Sequence, residues 1–201
     1  MPAVLQHGAG RKPEVRLELR EGRPVVVKDF AGRAPWLRAT LGRWLVSREL
    51  RAYHALAGHP NVPRLLGRAG RYGLAVEYRP GRRLSRQRAA ELPADFLARL
   101  ARAVAEMHAR GVVHLDLRHR SNVLVGADGE PILIDFASAV CLRPERGLER
   151  LLLRALARLD ERALAKWRAK LAQSPVVESS GSGGAGGAGS SEAGRSASRP
   201  T

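Results

Sequence analysis

Two short apolar runs, residues 123–125 and 132–134, flank a turn containing Asp128-Gly129, and this pattern constrains the chain more than any other part of it. An Asp-Gly pair between apolar runs is a strong hairpin signal, because glycine supplies the left-handed backbone a tight turn needs. Pairing Val123 with Ile134 and Val125 with Ile132 sets Asn122 directly opposite Asp135. Cross-strand neighbours have Cβ atoms about 4.5–5.5 Å apart, so an amide oxygen and a carboxylate would reach one hard cation there. The expectation is a magnesium site built from Asn122 and Asp135 at the end of one hairpin. Asp116, six residues before Asn122 in a polar loop, brings a third oxygen to the same edge and is placed to accept a proton from an attacking hydroxyl.

The upstream sequence reads as strands followed by helices. Residues 14–20 alternate apolar and charged side chains, the period of a half-buried strand, and Glu21-Gly22 turns the chain into Val25-Val-Val-Lys28. A hairpin with Lys28 near the end of its second strand is expected, preceded by a short strand at residues 3–6. Leu41, Trp44, Leu45, Leu50, Tyr53 and Leu56 approximate helical spacing over residues 40–57, with Glu49 on that helix and Gly58 and Pro60 stopping it. Residues 72–78 read as a further strand and 95–110 as a helix with Phe96, Leu97, Leu100, Val104 and Met107 on one side. The fold class expected is α+β.

At these residues the chain resembles the protein-kinase-like superfamily. The matches are Lys28 in Val-Val-Val-Lys, Glu49, His114-Leu-Asp116, Asn122 and Asp135-Phe-Ala137, set in the order and spacing of the strand lysine, helix glutamate, H-R-D-x-x-x-x-N loop and D-F-G motif. The resemblance implies a two-lobed fold over residues 1–173, with a strand-rich N-lobe to about residue 77 and an abbreviated helical C-lobe over 78–173. It implies ATP and Mg²⁺ as cofactors. Lys28 would grip the phosphates and pair with Glu49, Asp116 would orient or deprotonate the acceptor, and Asn122 and Asp135 would hold the metal. The linker Leu74-Ala-Val-Glu-Tyr78 looks like the hinge that meets adenine, which makes Glu77 a nucleotide-binding candidate. Gly8 and Gly10 stand where a glycine-rich loop would cover the phosphates, although a lone Gly-x-Gly is also an ordinary turn.

The departures from the pattern narrow the resemblance. Leu115 stands in place of the arginine of His-Arg-Asp, Ala137 replaces the glycine after Asp-Phe, and the loop from Asp116 to Asn122 is one residue longer than the usual pattern. There is no Ala-Pro-Glu. This minimal outline is similar to the atypical RIO-type and lipopolysaccharide-kinase (Kdo-kinase-like) branch. The activity implied is transfer of the γ-phosphoryl of ATP to a hydroxyl, on a protein serine or threonine or on an envelope glycolipid sugar. The alternative is a pseudokinase that binds nucleotide and serves as a scaffold. His114 reads as a packed histidine, and His119 and Arg120 as residues facing either substrate or solvent.

Charge sets the expected partners. The chain carries 35 Lys+Arg against 19 Asp+Glu, and only four of the basic residues are lysines, so Lys28 is a rare residue type where arginine is the rule. The net charge of +16 favours acidic acceptors and peripheral contact with an anionic membrane. Nucleic acid is a weaker candidate, because nine aromatic residues leave little for stacking platforms. Glu178 and Glu192 cancel Arg195 and Arg199, so the excess belongs to residues 1–173. Residues 174–201, rich in Gly, Ser and Ala, are expected to be a disordered tail. The lone Cys141 excludes an internal disulfide. With no apolar leader or membrane span in view, the sequence reads as cytoplasmic, with the inner membrane face as a peripheral site. The basic row Arg146, Arg150, Arg154, Arg158, Arg162, Lys166 and Lys170 steps by four and would spiral through about 240° on one straight helix. A break at residues 159–161, with Asp160 capping a second helix, is therefore expected.

Overall fold

The alternating residues 14–20 form strand β2 (Glu14–Arg20). Glu21 and Gly22, at φ 52° and 74°, make a tight turn of the left-handed kind that matches strand twist, and the chain returns as β3 (Arg23–Asp29). In the computed structural model, which describes residues 3–7, 12–119 and 121–172, these two strands belong to a five-stranded antiparallel sheet. Its order is β1 (Ala3–Gln6), β2, β3, β5 (Gly73–Glu77) and β4 (Leu65–Arg68). β4 carried no signal that the sequence reading used. Side chains alternate across the sheet: Val25, Val27 and Ala75 cluster on one face, while Leu74 and Val76 join the main core on the other. Lys28 pairs with Leu74 and so lies on the core face.

Against that face packs α2 (Arg43–Ala55), entered through a short turn, α1 (Pro35–Leu37), and a wide π turn over Arg38–Gly42. Gly42 lets α2 approach Phe30 closely, since a Cβ there would meet Phe30 Cβ at 3.0 Å. Val46, Glu49, Leu50 and Tyr53 of α2 are buried at helical spacing, which sets an acidic side chain in the middle of an apolar stripe.

The helical half begins with α3 (Phe96–Ala109), whose Phe96, Leu100, Ala103, Val104 and Met107 are buried. After it come β7 (Val112–Val113), paired with β10 (Val140–Cys141), and the expected hairpin, β8 (Val123–Gly126) with β9 (Pro131–Leu133), flanked by β6 (Gly81–Arg83). The hairpin register differs from expectation by one residue: Val123 faces Leu133 and Val125 faces Pro131. The cause is the turn. Gly126 donates to Glu130 O at 2.8 Å and Gly129 sits at φ 77°, which closes a three-residue loop where the expected pairing needed four. Asn122 therefore faces Ile134, whose N–H it accepts at 3.0 Å, and Asp135 lies one position beyond.

The second correction concerns α4 (Gly147–Ala172), which runs unbroken for 26 residues. Asp160 does not cap a new helix because its carboxylate is buried and already bonded to the chain near His114. Trp167 anchors the same helix by donating its indole N–H to Leu117 O at 3.0 Å. Among the described residues no helix is long and apolar enough to cross a membrane. The expected tail, residues 174–201, lies outside the described residues.

Candidate active site

Lys28 leaves the sheet toward α2, and its ammonium donates to Glu49 Oε1 at 2.6 Å and to Asp135 Oδ1 at 2.9 Å. Three residues separated by 21 and 107 positions thus meet at one nitrogen. The ammonium is held charged, its pKa raised by the two carboxylates against the opposing effect of burial. Glu49, 4 % exposed, is pushed up by burial and restrained by Lys28. Asp135 is lowered, chiefly by Lys28, and stays ionised at neutral pH.

Asp135 reaches this position through strain. It adopts a left-handed conformation, φ 67° and ψ 69°, which costs a residue with a Cβ about 1–2 kcal/mol. The turn ends β9, swings the carboxylate out of the strand and sends Phe136 into the core. There Phe136 is fully buried, with Tyr53 edge-on at 5.1 Å and His114 at 4.9 Å between ring centroids. Arg48, one residue before Glu49, donates to the carbonyls of Ser138 and Ala139, tying α2 to the segment after Asp135.

The second cluster is built on the loop before β8. Asn122, 3 % exposed, donates its amide N–H to Asp116 O and to Asp116 Oδ2, each at 3.0 Å. The amide oxygen accepts from Ser121 and keeps a second lone pair. Among the described residues, His119 lies nearest to Asp116 Oδ1 as an ion-pair partner, at 3.9 Å, with the His119 ring largely exposed. His114 is a packed histidine: it is fully buried, its Nε2 lies 3.1 Å from Ile134 O, and burial lowers its pKa.

Asp160 is the functional-site residue that sequence reasoning misassigned, and His108 the one it missed. Asp160 Oδ2 accepts from His114 N at 2.8 Å and lies 3.0 Å from His108 Nε2, while Oδ1 accepts from Leu115 N at 2.9 Å. Leu115 itself stands at φ 65°. A carboxylate from α4 thus clamps the two peptide groups that lead into Asp116. An aspartate on an otherwise buried helix face was the available signal, since a buried charge demands partners.

The remaining candidates lie apart from these clusters or beyond description. Glu77 ends β5, and its carboxylate accepts from Arg64 N at 3.1 Å, so it is engaged with the chain beside β4 and not with Lys28. Gly8, Gly10 and Arg120 lie outside the described residues.

As donors for a hard cation, Asp135 offers a half-exposed carboxylate whose Oδ2 is not taken by Lys28, and Asn122 offers its amide oxygen. Among the described residues no group of three or more His, Cys, Asp and Glu gathers around a metal position. One carboxylate and one amide oxygen do not make a cage. They do fit Mg²⁺, which protein sites hold through one or two carboxylates with phosphate oxygens and water completing the shell.

No protein-family model and no curated protein sequence matches the chain. Among solved structures the chain is similar to the Rio2 kinase from Chaetomium thermophilum, with a TM-score of 0.57 at 16% sequence identity. The likeness covers 85% of this chain and 62% of that one, so the chain spans less than two thirds of the length of the kinase it matches. The α+β architecture, with its antiparallel sheet set against helices, is a protein-kinase-like fold.

Proposed function

We propose that the chain is an ATP- and Mg²⁺-dependent phosphotransferase that moves the γ-phosphoryl group to a hydroxyl acceptor, with the nucleotide between an N-lobe and a C-lobe that divide near residue 78. The observation that carries this reading is Lys28 held between Glu49 and Asp135 at 2.6 and 2.9 Å, beside the loop before β8 in which Asn122 donates to Asp116. A triphosphate needs a permanent cation and an acceptor hydroxyl needs a free carboxylate oxygen. Both are supported by this geometry.

In that reading Lys28 faces the α- and β-phosphates, and Glu49 fixes its side chain so that no rotamer freedom is lost on binding. Mg²⁺ held by Asp135 and Asn122 would neutralise charge developing on the phosphate oxygens. Asn122 holds Asp116 through Oδ2, which leaves Oδ1 to accept the hydroxyl proton. The acceptor oxygen then bonds to the γ-phosphorus, the bond from that phosphorus to the bridging oxygen breaks, and ADP leaves with the electron pair. The acceptor is a protein serine or threonine or a glycolipid sugar hydroxyl, and the outline fits an atypical RIO-type or lipopolysaccharide-kinase-like enzyme.

The test is ADP release from ATP and Mg²⁺ by the purified chain, with Asp135→Ala as control, in the presence of envelope lipids or of total protein. Turnover that the substitution abolishes supports the phosphotransferase, and the extract that accelerates it identifies the acceptor class. Nucleotide binding without turnover in either extract would overturn the proposal.

A further inference from the structure

The outward face of α4 carries an apolar patch that phosphotransfer does not use. Leu148, Leu151, Leu152 and Leu159 are 81, 62, 46 and 45 % exposed, while Leu153, Ala157, Asp160, Leu164 and Trp167 are buried on the opposite side. At about 100° per residue, the four leucines with Ala155 fall within an arc of about 100° along about 17 Å of helix. Single exposed leucines are ordinary, but four on one arc form a contiguous patch of the kind that marks an interaction surface. The four-residue step of the basic row carries it across this face. Arg154 and Arg158 border the leucines along one side, and Arg162 and Lys166 close the patch at its C-terminal end, all four exposed. Glu161 is the one exposed acid of the helix.

The occupant must be anionic and must accept a short apolar strip. A partner helix fits poorly: the seam Leu148, Leu152, Ala155, Leu159 meets Arg162 and Lys166 at its next two positions, whereas a coiled coil sustains its seam over three or four heptads. A second copy would bring together two chains of net charge +16. Residues 174–201 offer only Val176 and Val177 as large apolar side chains. A lipid surface needs neither length nor register, because an interfacial helix sinks its apolar face into the headgroup boundary and sets arginines against lipid phosphates. We propose that the outer face of α4 docks the protein peripherally on an anionic membrane, through Leu148, Leu151, Leu152 and Leu159 with Arg154, Arg158, Arg162 and Lys166 around them. The inference is independent of the phosphotransfer reading, since its readout requires no turnover.

The experiment is co-sedimentation of the full chain with phosphatidylglycerol-containing vesicles and with purely phosphatidylcholine vesicles, at low and high salt. Binding to the anionic vesicles alone is expected, weakened by salt. Leu148→Ser with Leu151→Ser should weaken it by more than about tenfold, because both leucines lose their apolar transfer energy. Arg158→Gln should weaken it by about fivefold, the worth of one cation near such a surface. Both variants alter exposed side chains and should melt like the wild type and release ADP at its rate without lipid. Equal binding to both vesicle types, or undiminished binding of the serine variant, would overturn the proposal. So would a lipid-free dimer that the serine variant dissociates, which would assign the face to a second copy.

Discussion

Replacing Asp160 by alanine removes the acceptor shared by three donors, and the structure allows the cost to be worked out. His114 N–H is buried with its residue, Leu115 N–H is part-buried, and the His108 ring nitrogen lies 3.0 Å away. A buried donor left without a partner costs about 1–3 kcal/mol, so the two peptide groups alone amount to about 2–6 kcal/mol. That is a large part of the about 5–15 kcal/mol by which a domain is ordinarily stable. Asp160→Asn keeps one acceptor oxygen and should cost about half as much. Urea denaturation followed by far-UV circular dichroism measures both, with the m-value showing whether the unfolding remains two-state. The loop from His114 to Asp116 should also loosen, so Asp160→Asn is expected to lower kcat for ADP release more than it raises KM. An Asp160→Ala protein within 1 kcal/mol of wild type, on the scale set for lost buried acceptors, would refute the view that α4 holds the loop in place.

Glu49→Gln is nearly isosteric and removes the charge that fixes Lys28, so kcat/KM should fall about 100-fold, the cost of a displaced positioning group, while thermal denaturation shows a folded protein. Burial holds His59 and His114 below the ordinary histidine value. The unfolded chain therefore takes up protons below about pH 6.5 that the folded chain refuses, and stability should fall with decreasing pH from there by up to about 1.4 kcal/mol per unit for each histidine. Denaturation midpoints across that window measure this, and His59→Gln should shallow the slope. Gly111→Ala should destabilise by more than about 1–2 kcal/mol, because φ is 77° and a Cβ would stand 2.1 Å from Leu142 O. The carbonyl cannot yield without breaking the Leu142 N–H bond to Gly111 O, a loss that hydrogen exchange at Leu142 would register.

How much was legible in the chain follows from how local each signal is. The alternation of residues 14–20 and the apolar stripe of α3 gave their elements to within a residue or two, because periodicity needs no distant partner. The loop residues Asp116 and Asn122 were likewise recognisable, and they meet at 3.0 Å. The hairpin register was lost by one residue because it depends on whether Gly129 closes a three- or a four-residue loop, a choice made by backbone conformation that residue types alone leave open. β4 escaped notice because its strand is short and bulged at Leu66 and is defined by its partner, β5. The break expected in α4 failed for a related reason. Local rules make Asp160 a helix cap, but capping competes with every other donor the carboxylate can reach, and His114 and Leu115 won.

The sequence by itself determined the main strands and helices, the α+β class, the excess of positive charge and the identity of the polar residues that form the candidate site. All of these rest on side-chain type and near-neighbour spacing. Only the tertiary structure decided that Lys28 meets Glu49 and Asp135 at one point, that Asp160 steadies the loop before Asp116 and that the leucines of α4 face outward. These depend on contacts between residues tens of positions apart, where the direction of a side chain is set by the packing of whole elements.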